Sequence, residues 1–272
     1  MDNLYEKIGF IGSGKMAGAI IKGLVKANFI SSSNIVATQA EQTGIEKKSK
    51  ELGIRIILDN KELVRASDVI FIAVKPNQVL GVLEEIKPFI TPEKLIVSIA
   101  AGVNLYKLES NLPVGTRVIR VMPNTPALVG EGMSGMIGGK EAGADDIDFV
   151  KKLLSTIGKC IVADNETQMD IVTAISGSGP AFFYKVINEI ARAGEKLGMD
   201  YEKALLLSIQ TAIGSAKMAL NRDISMEQLI SNVATKGGCT AVGVDCMNEN
   251  NTEKLFYDVI KSTTDKAHAL GE

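Results

Sequence analysis

The run Gly12-Ser13-Gly14-Lys15-Met16-Ala17 carries the spacing G-x-G-x-x-A and follows directly on the apolar residues 8–11. In such a run the first glycine permits a tight turn and the second lets a backbone come close to a pyrophosphate. The final alanine lets a helix lie close on a strand. The helix that follows would turn its unpaired amides toward the phosphates. Glycines after a strand can also serve a turn alone. Here the strand before and the amphipathic pattern after are the context in which the spacing reads as a dinucleotide loop. The next strand-like run, NIVAT, ends at Thr38, and no acid follows until Glu41. An acid at that place bonds the adenosine ribose, and its absence removes repulsion against a 2′-phosphate. NADPH is therefore the expected cofactor, with NADH left open because no arginine stands here. Lys47 and Lys48 read as a solvated helix face.

A second stretch, Thr235-Lys236-Gly237-Gly238-Cys239-Thr240, has no histidine, aspartate or glutamate in it. Its glycines free the backbone to turn, and the helical pattern that follows would leave the first amides, at Cys239 and Thr240, as an anion site. A Thr240 hydroxyl bonded to a charged group would add roughly 1.5–3 kcal/mol. Read alone, the stretch is a helix junction, with Gly237-Gly238 ending one helix and Thr240 capping the next. Joined to a dinucleotide domain and to the five further stretches given below, it reads as an anion site. Cys239 fits a buried thiol and a pocket wall equally, and no base stands by to make it a nucleophile. In Ser176-Gly177-Ser178-Gly179-Pro180 the glycines fit both a helix break and a close helix crossing, and Pro180 suits a first helical turn. Residues 122–126, MPNTP, follow a strand and carry two prolines, which reads as a rigid wall at the ligand end of an open sheet.

These residues need elements to hold them. Through the first part of the chain, apolar runs alternate with helical patterns: KIGFIG, NIVAT, RIIL, DVIFIAV, LIVSIA and RVIRVM read as strands, as do GMSGMIGG and CIVAD after them. That rhythm predicts an N-terminal α/β domain with a mostly parallel sheet, residues 1–164. After Asn165 the apolar positions take helical spacing to the end, which predicts an all-α domain over 165–272. Asp200 and Ser225 are expected N-caps, Ser225 with Gln228 in capping-box spacing, and glycines 194, 198, 237 and 238 are expected stops. The helical part is too small to bury its Leu, Ile, Val and Ala faces alone, so a subunit interface is expected there.

Composition narrows the classes further. At 272 residues, 46% hydrophobic and with a net charge of −2, the chain has no basic footprint for nucleic acid. Its apolar runs are too short for a membrane span or a leader, so a cytoplasmic protein is expected. The three cysteines, 160, 239 and 246, form no metal-binding pattern, and no metal is expected. The sole histidine, His268, reads as solvated, which leaves no histidine for proton transfer.

Six stretches together resemble the pyrroline-5-carboxylate reductases: FIGSGKMAGAI, AVKPNQV, IAAG, RVMPNTPALVGEG, SGSGPAFFY and TKGGCTAVG. The resemblance implies NAD(P)H-dependent reduction of 1-pyrroline-5-carboxylate to L-proline, the last step of proline biosynthesis. It also implies an N-terminal Rossmann domain and a helical C-terminal dimerisation domain, forming a homodimer through the C-terminal helices, with dimers often gathered into a larger ring such as a decamer. By the family pattern the phosphate loop falls on Ile11, Gly12, Ser13, Gly14, Lys15 and Met16. Thr38 and Asn60 fall by the adenosine end, with Asn60 near the 2′-phosphate. Ala73, Val74, Lys75, Pro76, Ala100 and Ala101 fall along the nicotinamide and ribose, and Asn232 reaches the cofactor from the helical domain. Glu166, Thr235, Gly238, Cys239 and Thr240 fall by the substrate, with Thr240 as the catalytic candidate. Two departures stand out: Lys15 replaces an asparagine, and Lys236 replaces a proline, which should loosen that turn. Two rivals are weighed: a β-hydroxyacid dehydrogenase using Lys185 with Asn188, and a non-catalytic dinucleotide-binding regulator on the same fold.

Overall fold

The computed structural model describes residues 5–220 and 223–271. Eight strands form one sheet in the order β3-β2-β1-β4-β5-β6-β7-β8. They are β1 (Ile8–Ile11), β2 (Ile35–Thr38), β3 (Arg55–Ile57), β4 (Val69–Ile72), β5 (Leu95–Ser98), β6 (Arg117–Met122), β7 (Gly132–Gly138) and β8 (Gly158–Val162). All pairings are parallel except β6 with β7. The helices are α1 (Lys15–Lys26), α2 (Ile45–Leu52), α3 (Asn60–Ala66), α4 (Val79–Ile86), α5 (Leu105–Ser110) and α6 (Ala144–Leu154). Then follow α7 (Glu166–Val172), α8 (Gly179–Lys196), α9 (Tyr201–Ala219), α10 (Met226–Val233), α11 (Cys239–Glu249) and α12 (Thr252–Gly271).

Strands β1, β4 and β5 are buried at every position, which is why they read as unbroken apolar runs rather than alternating ones. Their side chains divide between two cores. Phe10, Val69, Phe71 and Val97 pack with Ile20, Ile21 and Leu24 of α1. On the opposite face Ile11, Ile70, Ile72 and Ile96 pack with Leu63 of α3 and Leu83 of α4. Phe10 stacks on Phe71 with ring centroids 4.6 Å apart. The strand order reverses between β1 and β4, and the loops that leave the carboxyl ends of these two strands form the crevice where open α/β sheets take ligands.

All eight expected strands are present. Helix α5 fills the connection between β5 and β6, and helix α6 that between β7 and β8. The sequence of α6, ADDIDFVKKLL, buries Phe149, Val150, Leu153 and Leu154 on one face and is held at its start by Asp146, which accepts from the Gly143 N–H at 2.9 Å.

By packing, residues 5–178 with 263–271 form one compact unit and residues 179–262 a second. Residues 165–178, placed by the sequence reading with the helical part, thus pack with the sheet. Met169 of α7 is wholly buried and belongs with Ile137 of β7. The expected caps are in place: Asp200 accepts from the Lys203 N–H at 3.1 Å and Ser225 from the Gln228 N–H at 3.2 Å. Gly194 does not stop a helix. It lies inside α8, where a Cβ would stand 3.1 Å from Ala204 Cβ of α9, so the glycine serves a close helix contact.

Candidate active site

Gly12 leaves β1 with φ +98°, and a Cβ there would sit 2.6 Å from the Ala73 carbonyl oxygen. Only glycine meets both demands without strain. Gly14 is the N-cap of α1, with extended backbone and no side chain to cap the helix. A Cβ on Gly14 would find nothing within 4 Å. That open cradle, floored by the free amides of the first α1 turn, fits the pyrophosphate of a dinucleotide. Ala17 is buried against the core of β1, as close helix packing requires.

Thr38, the last residue of β2, is buried and ties this loop to its surroundings. Its Oγ1 accepts from the Gly12 N–H at 3.2 Å and donates to Asn60 Oδ1 at 2.7 Å. The Asn60 amide in turn donates to Glu85 Oε2 on α4 at 2.9 Å. On the other flank Lys48 of α2 extends its Nζ to 3.4 Å from Ser13 Oγ. The reading of Lys48 as a solvated helix face is therefore corrected. Lys47 is exposed, but Lys48 is half-buried against the phosphate loop. A cavity of about 640 Å³ runs along α1 and has Ser13, Gly14, Lys15 and Lys48 at its head.

Beside the loop, the Ala73 N–H donates to the Ile11 carbonyl at 2.9 Å, and Val74, Lys75 and Pro76 follow it into a short 3-10 turn at residues 76–78. The Lys75 N–H is held by Gln78 Oε1 at 3.2 Å. Ala100 is buried beyond β5, and Ala101 next to it is exposed. Thus Ile11–Met16, Thr38, Asn60, Ala73–Pro76 and Ala100–Ala101 all lie at the carboxyl ends of β1 to β5.

The loop after β6 is fastened by Asn124, which sequence reading took only as part of a rigid wall. Its Oδ1 accepts from the Met133 N–H at 2.9 Å and its Nδ2 donates to the Ser176 carbonyl at 3.0 Å. Residues 173–177 form a π-helical turn after α7, and a Cβ on Gly177 would stand 2.5 Å from Met122 Cε. The glycine run is thus a helix break with a tight fit, and Pro180 lies in the first turn of α8. Glu166 begins α7; it pairs with the buried Arg120 and accepts from the Leu105 N–H at 2.6 Å. Burial pulls the Arg120 guanidinium below its usual range, with Asp170 opposing. His268, exposed as expected, also has a partner that the sequence did not reveal: its Nδ1 lies 3.1 Å from Asp170 Oδ2.

The helical unit holds the second stretch. Residues 235–238 close a turn in which the Gly238 N–H donates to the Thr235 carbonyl at 2.9 Å and Gly237 takes φ +75°. Gly238 is the N-cap of α11 with no side-chain cap, so the amides of Cys239 and Thr240 are left open at the head of an eleven-residue helix. Cys239 is exposed, as is Cys246, whereas burial pushes the Cys160 thiol up to about 11. Asn232 lies in α10, and its Oδ1 accepts from Gln228 Nε2 at 2.8 Å. Lys185, the residue on which the dehydrogenase reading depends, pairs with Glu189 at 2.5 Å, and Asn188 accepts from the Tyr201 hydroxyl at 3.0 Å. Each is held by a different partner, so nothing joins the two into one site.

Two family models match the chain. One, described as pyrroline-5-carboxylate reductase dimerisation, spans residues 166–270. The other, NADP oxidoreductase coenzyme F420-dependent, spans residues 7–102. A pyrroline-5-carboxylate reductase of Methanosarcina acetivorans is 39% identical, over 98% of each chain. The crystal structure of the Plasmodium falciparum pyrroline carboxylate reductase with NADP bound is 34% identical, over 98% of each chain, at a TM-score of 0.85. A solved structure of a pyrroline-5-carboxylate reductase from Coxiella burnetii is 31% identical, over 98% of this chain and 99% of that one, at a TM-score of 0.93.

Proposed function

The chain belongs to the pyrroline-5-carboxylate reductase family, and from that premise we infer how its residues share the NAD(P)H-dependent reduction of 1-pyrroline-5-carboxylate to L-proline. The observation that carries the reading is the near full-length likeness to reductases of that name, joined to a loop at Gly12–Gly14 whose open cradle suits a pyrophosphate. When bound, the nicotinamide supplies a hydride.

The residues that would hold the dinucleotide are Ile11 to Met16 at the pyrophosphate and Thr38 with Asn60 at the adenosine ribose. Ala73 to Pro76 and Ala100–Ala101 would line its nicotinamide side. The substrate presents a carboxylate and an imine nitrogen. The open amides of Cys239 and Thr240 suit the carboxylate, with the positive end of α11 behind them. Thr235 and Gly238 shape that turn. The Thr240 hydroxyl, in the first turn of α11, is the donor assigned to the substrate. An imine protonated from water already draws hydride, so orientation and electrostatics are what this chain has to supply. Glu166, both of whose oxygens are engaged in the sheet unit, enters this reading as support for the loop at Leu105.

The dimerisation family match supports association through the helical residues 166–270. We take the unit of function to be a homodimer through the C-terminal helices, with a decameric ring as its larger form. Among the described residues no helix is long and apolar enough to cross a membrane, and residence in the cytoplasm goes with this reading.

The test is direct. Protein mixed with NADPH and pyrroline-5-carboxylate should lose absorbance at the nicotinamide band. Thr240→Ala should raise KM for the imine or lower turnover while dinucleotide affinity stays within about twofold, far less than one lost charged hydrogen bond would cause. A folded dimer that consumes no NADPH would sink the assignment, and a fall in dinucleotide affinity would show Thr240 misplaced.

A further inference from the structure

We propose that Lys48 selects the phosphorylated dinucleotide, its ammonium receiving the 2′-phosphate at the head of the phosphate loop, an assignment that rests on the dinucleotide reading above. Lys48 stands in the first turns of α2, and its Nζ comes 3.4 Å from Ser13 Oγ. Ser13 is only 7% exposed, so the ammonium is drawn in against the loop rather than out into solvent. The neighbouring loop residue, Gly12, donates to Thr38 at the end of β2. That strand end is where the adenosine ribose of a dinucleotide belongs. Lys48 and Thr38 are therefore tied to consecutive residues of one loop.

The charges around this point argue in the same direction. Glu51, the acid one turn further along α2, is held by Lys22 at 2.6 Å. Among the described residues no carboxylate forms an ion pair with Lys48. Lys15, at the first position of α1, lines the same cavity head and has no carboxylate partner among those residues either. Across Thr38, however, Asn60 carries the Glu85 carboxylate 2.9 Å from its amide nitrogen. A 2′-phosphate brought to Thr38 would meet that like charge on one flank. A half-buried cation on the other flank is what makes the position tolerable for a doubly charged group. NAD(H), which bears two ribose hydroxyls there, has no such need.

The experiment is calorimetric titration of the purified protein with NADP⁺ and NAD⁺, and with the fragments 2′,5′-ADP and 5′-ADP. Lys48→Gln should weaken NADP⁺ and 2′,5′-ADP about tenfold, the equivalent of one charged hydrogen bond, and leave NAD⁺ and 5′-ADP unchanged. Lys48→Arg should restore the preference, and Lys47→Gln should leave all four affinities alone. Equal weakening of both dinucleotides by Lys48→Gln would show that the lysine merely braces the loop and would overturn the proposal, as would no weakening at all. A wild type that binds NADP⁺ with this preference yet turns over no pyrroline would sink the proposed function and leave the role of Lys48 standing. A wild type that binds neither dinucleotide would sink both.

Discussion

Gly12 and Gly14 share a motif but do different work, and substitution separates them. At Gly12, φ +98° and the Ala73 carbonyl 2.6 Å from a would-be Cβ mean that Gly12→Ala strains the fold itself. A loss of about 1–3 kcal/mol is expected in urea unfolding, along with lost dinucleotide affinity. At Gly14 a side chain meets only open space, so Gly14→Val should unfold at the wild-type denaturant midpoint yet bind no dinucleotide, because its methyl groups fill the cradle. Dinucleotide affinity retained in Gly14→Val would show that the cradle is not where the phosphates go. The turn at Gly12 was legible from residue types, since it rests on the absence of a Cβ at a fixed place after a strand. Lys48 was not. Its partner Ser13 stands far away in the chain, and a lysine on a polar helix face carries no mark of which way its stem folds. The partners of Glu166 show the same limit, since nothing in the residue string marks Arg120 or the Leu105 amide as what it touches.

The turn before α11 shows what an element can lose and keep. Lys236 occupies the second place of a turn closed by Gly238 and Thr235, with glycine at the third, where φ is +75°. Proline is favoured at that second place. None of the backbone hydrogen bonds described for the turn uses the Lys236 N–H. Lys236→Pro should therefore raise stability by about 0.4–1 kcal/mol by restricting the unfolded chain, seen as a higher melting temperature with KM for the imine unchanged. A lower melting temperature would mean that the Lys236 backbone departs from proline's. The strands were legible because burial on both faces writes them as continuous apolar runs. Helix α5 escaped because it is six residues long with Leu108 as its one buried side chain, too little for a period. Helix α6 carries a clear apolar face, but it follows the glycine-rich β7 and its first turn holds two aspartates, which blurs its start. The direction of β7 lay outside what a residue string records, since a strand has the same period of two whichever way it runs.

At the scale of the molecule, the helical unit is short of interior. Among its described residues only Gly179, Ala191, Ala204 and Ser208 are fully buried in the single chain, while Phe183, Leu206, Ile213 and Phe256 are exposed. So much apolar surface calls for a second copy. The melting temperature should therefore rise with protein concentration. Leu206→Asp should shift the species seen in sedimentation toward monomer and remove the concentration dependence. A melting temperature independent of concentration in the wild type would argue that the chain is stable alone. The end of α12 carries a different lesson. Residues 263–271 pack with the sheet, where Asn104 Nδ2 donates to the Gly271 carbonyl at 2.9 Å and Leu270 lies against Gly102. The nucleotide-binding layer is therefore interrupted in sequence by the whole helical unit. On the ribosome, where domains ordinarily finish from the amino end, this one must wait until residues 263–271, made after the whole helical unit, have emerged before that wall can be set.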